Sequence, residues 1–156
     1  MKLYSHSRLW LFESCPEAYK IKYIDKTFPD LPISINLFLG DLVHQSLEWL
    51  YTEMKEGKKV DMDSLIKHFV ENWSALFSPT VRLQPGNSVE TYFNKGVTFL
   101  IKYYQKHFPF SENTIEIEKK IIFNLDERGE FGIQGYIDRI VQLSEKEFEV
   151  HDYKTN

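Results

Sequence analysis

The change of hydrophobic period near residue 110 is the feature that most constrains what this chain can fold into. Before it, apolar residues recur at helical spacing, most clearly from Leu37 to Met54 and from Ser88 to His107. After it, apolar and polar residues alternate, as they do in strands. The predicted strands are Thr114 to Leu125, Phe131 to Leu143 and Phe148 to Lys154. The order predicts an α/β protein whose helical N-terminal half packs on a small sheet.

Shorter elements are marked by capping residues, prolines and turn residues. The capping candidates are Ser5 or Ser7 for a first helix through Phe12, and Asp61 or Asp63 for a helix to about Phe77. Pro16 suits the first turn of another helix. The two prolines of Phe28 to Pro32 indicate a loop, and Asp126 to Gly129 is typical of a turn between strands.

Length and composition fit one domain, residues 1–156, since 156 residues suffice to bury a core. The apolar runs are far shorter than the roughly 20 residues that span a bilayer, so no membrane association is expected. The chain has one cysteine, Cys15, which excludes an intramolecular disulfide and fits a reducing, cytoplasmic location. The net charge of −4 argues mildly against a general nucleic-acid binder, yet it is compatible with carboxylates that hold cations.

Two acids and a lysine lie in the last predicted strands. Asp138 is on one strand, and Asp152 and Lys154 are two apart on the next, so all three are expected on one face of the sheet. Burying a polar group there without a partner would cost about 2–7 kcal/mol. A divalent cation and a phosphate would satisfy all three groups.

An acid followed by an acid-any-lysine motif resembles the PD-(D/E)XK nuclease superfamily. The segments that carry the resemblance are GYIDRI (135–140), DYKT (152–155), GDLVH (40–44), SHSRL (5–9) and SCP (14–16). Their sequences and order look like the RecB-type and CRISPR-associated RecB-like exonuclease branch. The resemblance extends from Ser5 to Thr155.

The resemblance implies a restriction-endonuclease-like core with the helical half packed on a small central mixed sheet. In the family this fold continues with a helix and a strand, which we expect to be missing because the chain ends at Asn156. A sheet left uncovered would favour a homodimer. Many members hold an iron–sulfur cluster with four cysteines, and we expect none here because only Cys15 is present.

The resemblance also implies roles for individual residues. Asp138 and Asp152 would bind Mg²⁺ or Mn²⁺, with the backbone carbonyl of Tyr153 and the imidazole of His44 completing the shell. Lys154 would orient the attacking water and offset charge on the phosphate. Asp138, Asp152 and Lys154 are thus the expected catalytic residues.

Further candidates surround this set. Glu118 is expected either to contact the metal ligands without binding the metal itself, or to bind a second cation. Glu48, four residues after His44, is expected to orient the imidazole. Arg8 and Lys20 are candidates for contact with DNA.

The function predicted from these residues is metal-dependent hydrolysis of DNA, as an exonuclease in repair, recombination or CRISPR adaptation. A helicase or a CRISPR integrase is the expected partner. Two alternatives stay open at this point: a non-catalytic DNA- or protein-binding module that retains the motifs, and a structural domain whose charges form surface pairs.

Overall fold

A computed structural model describes residues 1–27, 29 and 32–155, so the predicted loop at residues 28–32 lies largely outside the described residues. Within that part, the protein is a mixed α/β structure with five α-helices and a four-stranded sheet. None of these helices combines the length and the apolar character needed to cross a bilayer.

The elements follow the predicted order, with one strand added at the start. They are β1 (Lys2–Tyr4), α1 (His6–Ser14), α2 (Pro16–Tyr19), a π-helical turn (Lys20–Ile24), α3 (Ile35–Lys55), α4 (Met62–Leu76), α5 (Val89–His107), β2 (Thr114–Asn124), β3 (Phe131–Ser144) and β4 (Glu147–His151). Ser5 rather than Ser7 caps α1, accepting a hydrogen bond from the Arg8 amide at 3.2 Å. Asp61 rather than Asp63 caps α4. The predicted helices are therefore confirmed, with ends shifted by one or two residues.

The sheet is mixed because β3 has partners of both directions. Its first residues pair in parallel with β1, and its second half pairs antiparallel with β4 from Arg139 opposite His151 onward. The expected small mixed sheet is confirmed, but the predicted strands did not include β1, whose three residues are too few to show a period. Strand β2 pairs with the edge of β3 that is opposite to β1.

The predicted third strand, Phe148 to Lys154, is wrong at its end. Strand β4 stops at His151, and the next residues leave the ladder. The physical reason is that the backbone amide of Tyr153 donates to the Asp138 carboxylate, at 2.6 Å, instead of to a strand carbonyl. A side chain thus replaces the neighbouring strand as the hydrogen-bond partner.

The chain forms two compact units, which we call the first unit (residues 1–31 and 118–137) and the second unit (residues 32–117 and 138–156). A single domain over residues 1–156 therefore stays a prediction.

The core of the second unit is formed by apolar faces of α3, α4 and α5. Its buried side chains include Leu42, Leu47, Leu50, Leu65, Phe69, Leu100 and Tyr153. At Gly96 of α5 the packing is too close for a side chain, since an added Cβ would lie 2.5 Å from Phe69 Cζ. Tyr153 carries the segment after β4 into this core.

In the first unit, Asp126 closes the turn between β2 and β3. Its carboxylate accepts hydrogen bonds from the backbone amides of Glu130, at 3.0 Å, and Phe131, at 2.7 Å. These bonds lower the pKa of Asp126. The predicted turn at residues 126–129 is confirmed.

Candidate functional site

His44 is held by the backbone of Tyr153. It lies on α3, and its Nε2 is 2.8 Å from the Tyr153 carbonyl oxygen. Because a carbonyl oxygen can only accept a hydrogen bond, Nε2 carries the proton. A neutral His44 therefore presents Nδ1 as a free lone pair.

The Nδ1 atom of His44 faces the carboxylate of Asp138, 3.6 Å from its Oδ1. The other carboxylate oxygen, Oδ2, accepts the Tyr153 amide at 2.6 Å, which fixes the orientation of Oδ1. The Asp138 side chain is only 11% exposed and that of His44 is 30% exposed. Two acceptor atoms that face each other in a sheltered place can both bind one cation.

Tyr153 thus organises the site through both of its backbone polar groups. Its ring is buried in the core and makes edge contacts with His44, at 5.5 Å between centroids, and with Tyr103, at 5.7 Å. Burial raises the pKa of its hydroxyl, so the side chain is a neutral anchor. The backbone around the candidate ligands is therefore set by core packing.

The donor set fits a divalent cation. Mg²⁺ binds ligands at about 2.0–2.1 Å, so two atoms that share it can be at most about 4.2 Å apart. The 3.6 Å between His44 Nδ1 and Asp138 Oδ1 satisfies this limit. One imidazole among oxygen donors also suits Mn²⁺.

Glu118, which was expected near the ligands, belongs to the first unit. It is a residue of β2 with a positive φ of 48°, in the left-handed region that non-glycine residues rarely adopt. Such a backbone costs about 1–3 kcal/mol and is frequent at functional sites. The residue before it, Ile117, packs against the core of the second unit.

Asp152 and Lys154 form an ion pair of their own, at 2.5 Å, with 60% and 72% of their side chains exposed. The hydrogen bond and the charge of Asp152 raise the pKa of Lys154, and the charge of Asp138 adds to this. Lys154 therefore acts as an ammonium in this arrangement. Within the described part of the chain, no hydrogen bond or ion pair joins Asp152 to His44 or Asp138.

The alternation of side chains continues beyond β4. Tyr153 is buried between the exposed Asp152 and Lys154, so these two share one side of the chain, as expected. Thr155 then passes over α3, where its Oγ1 would lie 3.4 Å from a Cβ added at Gly40. The structure thus brings His44, Asp138 and the Tyr153 carbonyl together and leaves the exposed pair beside them.

Three other predicted residues lie in different settings. Glu48 is half-buried on α3, and among the described residues no hydrogen bond connects it to His44. Lys20 is exposed in the π-helical turn of the first unit. Arg8 is partly buried, and it donates hydrogen bonds to the Tyr19 hydroxyl, at 3.2 Å, and to the Leu3 carbonyl, at 3.1 Å. Those bonds give Arg8 a structural role in the first unit.

A buried arginine cluster was missed by the sequence reasoning. Arg139 donates from Nη1 to Glu112, at 2.7 Å, and to Thr114, at 3.2 Å, and its Nη2 is 3.1 Å from His151 Nδ1. Its guanidinium also lies 4.1 Å from the centre of the Tyr51 ring. The cluster fixes β3 and β4 against each other.

The position of Arg139 follows from strand geometry. It is the neighbour of Asp138 on β3, and consecutive residues point to opposite faces. Arg139 is fully buried. In the sequence, a charged residue within the largely apolar strand β3 could have indicated such a cluster. Its partners could not have been named, because they come from distant segments.

Comparisons with known proteins point to one family. The family model of the PD-(D/E)XK nuclease superfamily matches residues 4–156. No curated protein and no solved structure matches this chain significantly.

Proposed function

This chain belongs to the PD-(D/E)XK nuclease superfamily, and from that premise we propose that it is a metal-dependent exonuclease that hydrolyses DNA phosphodiester bonds. Membership of this superfamily supports the assignment of the chain as a hydrolase that acts on nucleic acid with a divalent metal. The observation that carries the proposal is the 3.6 Å approach of His44 Nδ1 to Asp138 Oδ1. Each of these two atoms can donate a lone pair to a shared cation.

We propose His44, Asp138, Asp152 and the Tyr153 carbonyl as ligands of Mg²⁺ or Mn²⁺. A bound ion would lower the pKa of a water ligand and stabilise charge that develops on the phosphate. Lys154, kept protonated by its carboxylate partner, orients the phosphate and the water. Asp138 holds its orientation through the Tyr153 amide.

Glu118 is proposed as a residue that supports the metal ligands or binds a second cation, and Glu48 as a residue that orients the imidazole of His44. The positive φ of Glu118 supports a functional reason for its conformation.

The placement within the superfamily is a further part of the proposal. The GYIDRI, DYKT and GDLVH segments support a RecB-type or CRISPR-associated RecB-like nuclease. A nuclease of this branch would act in the cytoplasm in DNA repair, recombination or CRISPR adaptation, with a helicase or an integrase as partner.

Self-association is proposed through the sheet. Leu143 of β3 and Phe148 and Val150 of β4 are each more than half exposed, although they are large and apolar. Exposed apolar strand residues favour association. Light scattering over a range of concentrations should show a dimer, and a monomer throughout would contradict this.

The nuclease activity is tested with end-labelled linear single-stranded DNA, in Mn²⁺ and in chelator. The wild type should release nucleotides only with metal, and circular single strands should resist an exonuclease. Asp138→Asn, which keeps an acceptor for the Tyr153 amide, should lose both cleavage and Mn²⁺ binding by calorimetry. Asp63→Asn, a loss of an exposed carboxylate on α4, is the matched control. Cleavage that survives in chelator or in Asp138→Asn would refute the proposal.

One observation favours a second function, a nucleic-acid-binding module without catalysis. In the described residues, Asp152 is paired with Lys154 and has no bond to the other proposed ligands. Binding of DNA without cleavage in Mn²⁺ would identify this function.

A further inference from the structure

A cavity of about 650 Å³ lies in the second unit beside Asp152 and Lys154. Helix α5 forms one wall of it through Lys102 and Lys106, which are four residues and so about one helical turn apart. A volume of this size is within the usual range for small-molecule sites, about 300–1,000 Å³. The cavity can therefore accommodate a nucleotide.

Two of the three acidic groups at this cavity are paired with a cation. Glu112 is paired with Arg139 at 2.7 Å, and Asp152 is paired with Lys154 at 2.5 Å. Glu149 lies 3.3 Å from His151 Nε2, but burial and the charge of Arg139 lower the pKa of His151, so the negative charge of Glu149 is not paired.

Lys102 and Lys106 differ from the two paired acids, because none of the described residues forms an ion pair with either ammonium. Both lysines are exposed and line the cavity. Their charges are thus available to an anion in the cavity.

Aromatic rings lie next to these ammonium groups on the same helix. Phe99 and Tyr103 line the cavity four residues apart, and His107 stacks on Tyr103 with 4.3 Å between ring centroids. Burial lowers the pKa of His107, which favours a neutral ring. Aromatic faces beside cations are the combination that binds a base together with its phosphate.

We propose that this cavity binds a nucleotide of single-stranded nucleic acid next to the scissile phosphate. Lys102 and Lys106 bind backbone phosphates, and the rings of Phe99 and Tyr103 contact the base. The inference rests on the proposed function, since the cavity reaches Asp152 and Lys154, where the reacting phosphate would lie. A base that contacts these rings must be unpaired, which favours a single strand over a duplex.

The test is binding of labelled oligodeoxythymidine in chelator, where no cleavage occurs, at several salt concentrations. Each single-strand phosphate contact contributes about 0.7 to the slope of log affinity against log salt. The double variant Lys102→Gln/Lys106→Gln should reduce the slope by about 1.4, which is a loss of about 25-fold at 0.1 M salt. Lys67→Gln, an exposed lysine of α4, is the control and should bind as the wild type does.

Unchanged affinity and slope in the double variant would overturn the inference. An oligonucleotide with abasic sites should bind more weakly than oligodeoxythymidine, and equal binding would overturn the contact with the base. Circular dichroism checks that the variants are folded.

The outcomes for binding and for cleavage are separable. Cleavage in Mn²⁺ with binding that does not depend on the two lysines would leave the nuclease proposal standing and refute the inference. Lysine-dependent binding without cleavage would support the inference and refute the nuclease proposal. Absence of binding by the wild type would overturn the inference directly.

Discussion

The two partners of the Arg139–Glu112 ion pair should respond unequally to mutation. Arg139 is fully buried, whereas 38% of the Glu112 side chain is exposed. Glu112→Ala leaves a buried guanidinium without its counter-charge, and removing one partner of a buried pair costs about 3–5 kcal/mol. Thr114 and the Tyr51 ring still contact the guanidinium, so we expect a loss at the low end, about 3 kcal/mol.

The reverse substitution, Arg139→Met, leaves Glu112 at the surface, where water can solvate it. The lost charge-assisted hydrogen bond is worth about 1.5–3 kcal/mol. The variant also no longer carries the desolvation cost of a buried charge, which is several kcal/mol. The methionine side chain fills part of the volume that the arginine occupied. We therefore expect the free energy of unfolding to fall by about 1 kcal/mol or less.

The assay is equilibrium unfolding in urea, followed by far-ultraviolet circular dichroism, for the two single variants and the double variant. The double variant should be about as stable as Arg139→Met, because Glu112 has no buried charge to neutralise once Arg139 is gone. The reasoning is refuted if Arg139→Met is as destabilising as Glu112→Ala, or if the double variant is less stable than Glu112→Ala.

Three further outcomes are expected. Burial raises the pKa of Glu112, but the hydrogen bond and charge of Arg139 outweigh it and hold this pKa below its usual value. A carboxyl with a depressed folded-state pKa stabilises the fold above its unfolded pKa of about 4.3, so this contribution should be lost as pH falls below about 5. Urea titrations of the wild type and Glu112→Gln should converge as pH falls, and a constant difference would contradict the assignment. Lys154→Ala should reduce the cleavage rate more than Mn²⁺ affinity, measured by kinetics and calorimetry, and an equal loss of both would count against its role. Gly96→Ala should destabilise by about 1–3 kcal/mol because its Cβ would overlap the Phe69 ring, and an unchanged melting temperature would show that the ring can move.

Local patterns were sufficient for most of the secondary structure. The helical period and the side chains of Ser5, Asp61 and Ser88 define where the helices begin, because an N-cap acts on amides only two or three residues away. Alternation defined β2 and β3 for the same reason, since it depends on one strand and its faces.

The sequence motifs also selected the candidate site residues, but not how they are arranged. The resemblance named His44, Asp138 and Tyr153 as candidate ligands. Only the folded chain shows that the Tyr153 backbone contacts both His44 and Asp138, and that this bond ends β4 before Asp152.

Tertiary packing determined the contacts that no local sequence pattern predicts. The sequence by itself determined which segments are helices or strands, because those choices depend on residues a few positions apart. The parallel pairing of β1, the burial of Arg139 against Tyr51 and Glu112, and the cavity beside Lys102 and Lys106 join segments that are distant in the chain. Such contacts form only when the whole core has packed, so the residues that take part in them can be identified only from the three-dimensional structure.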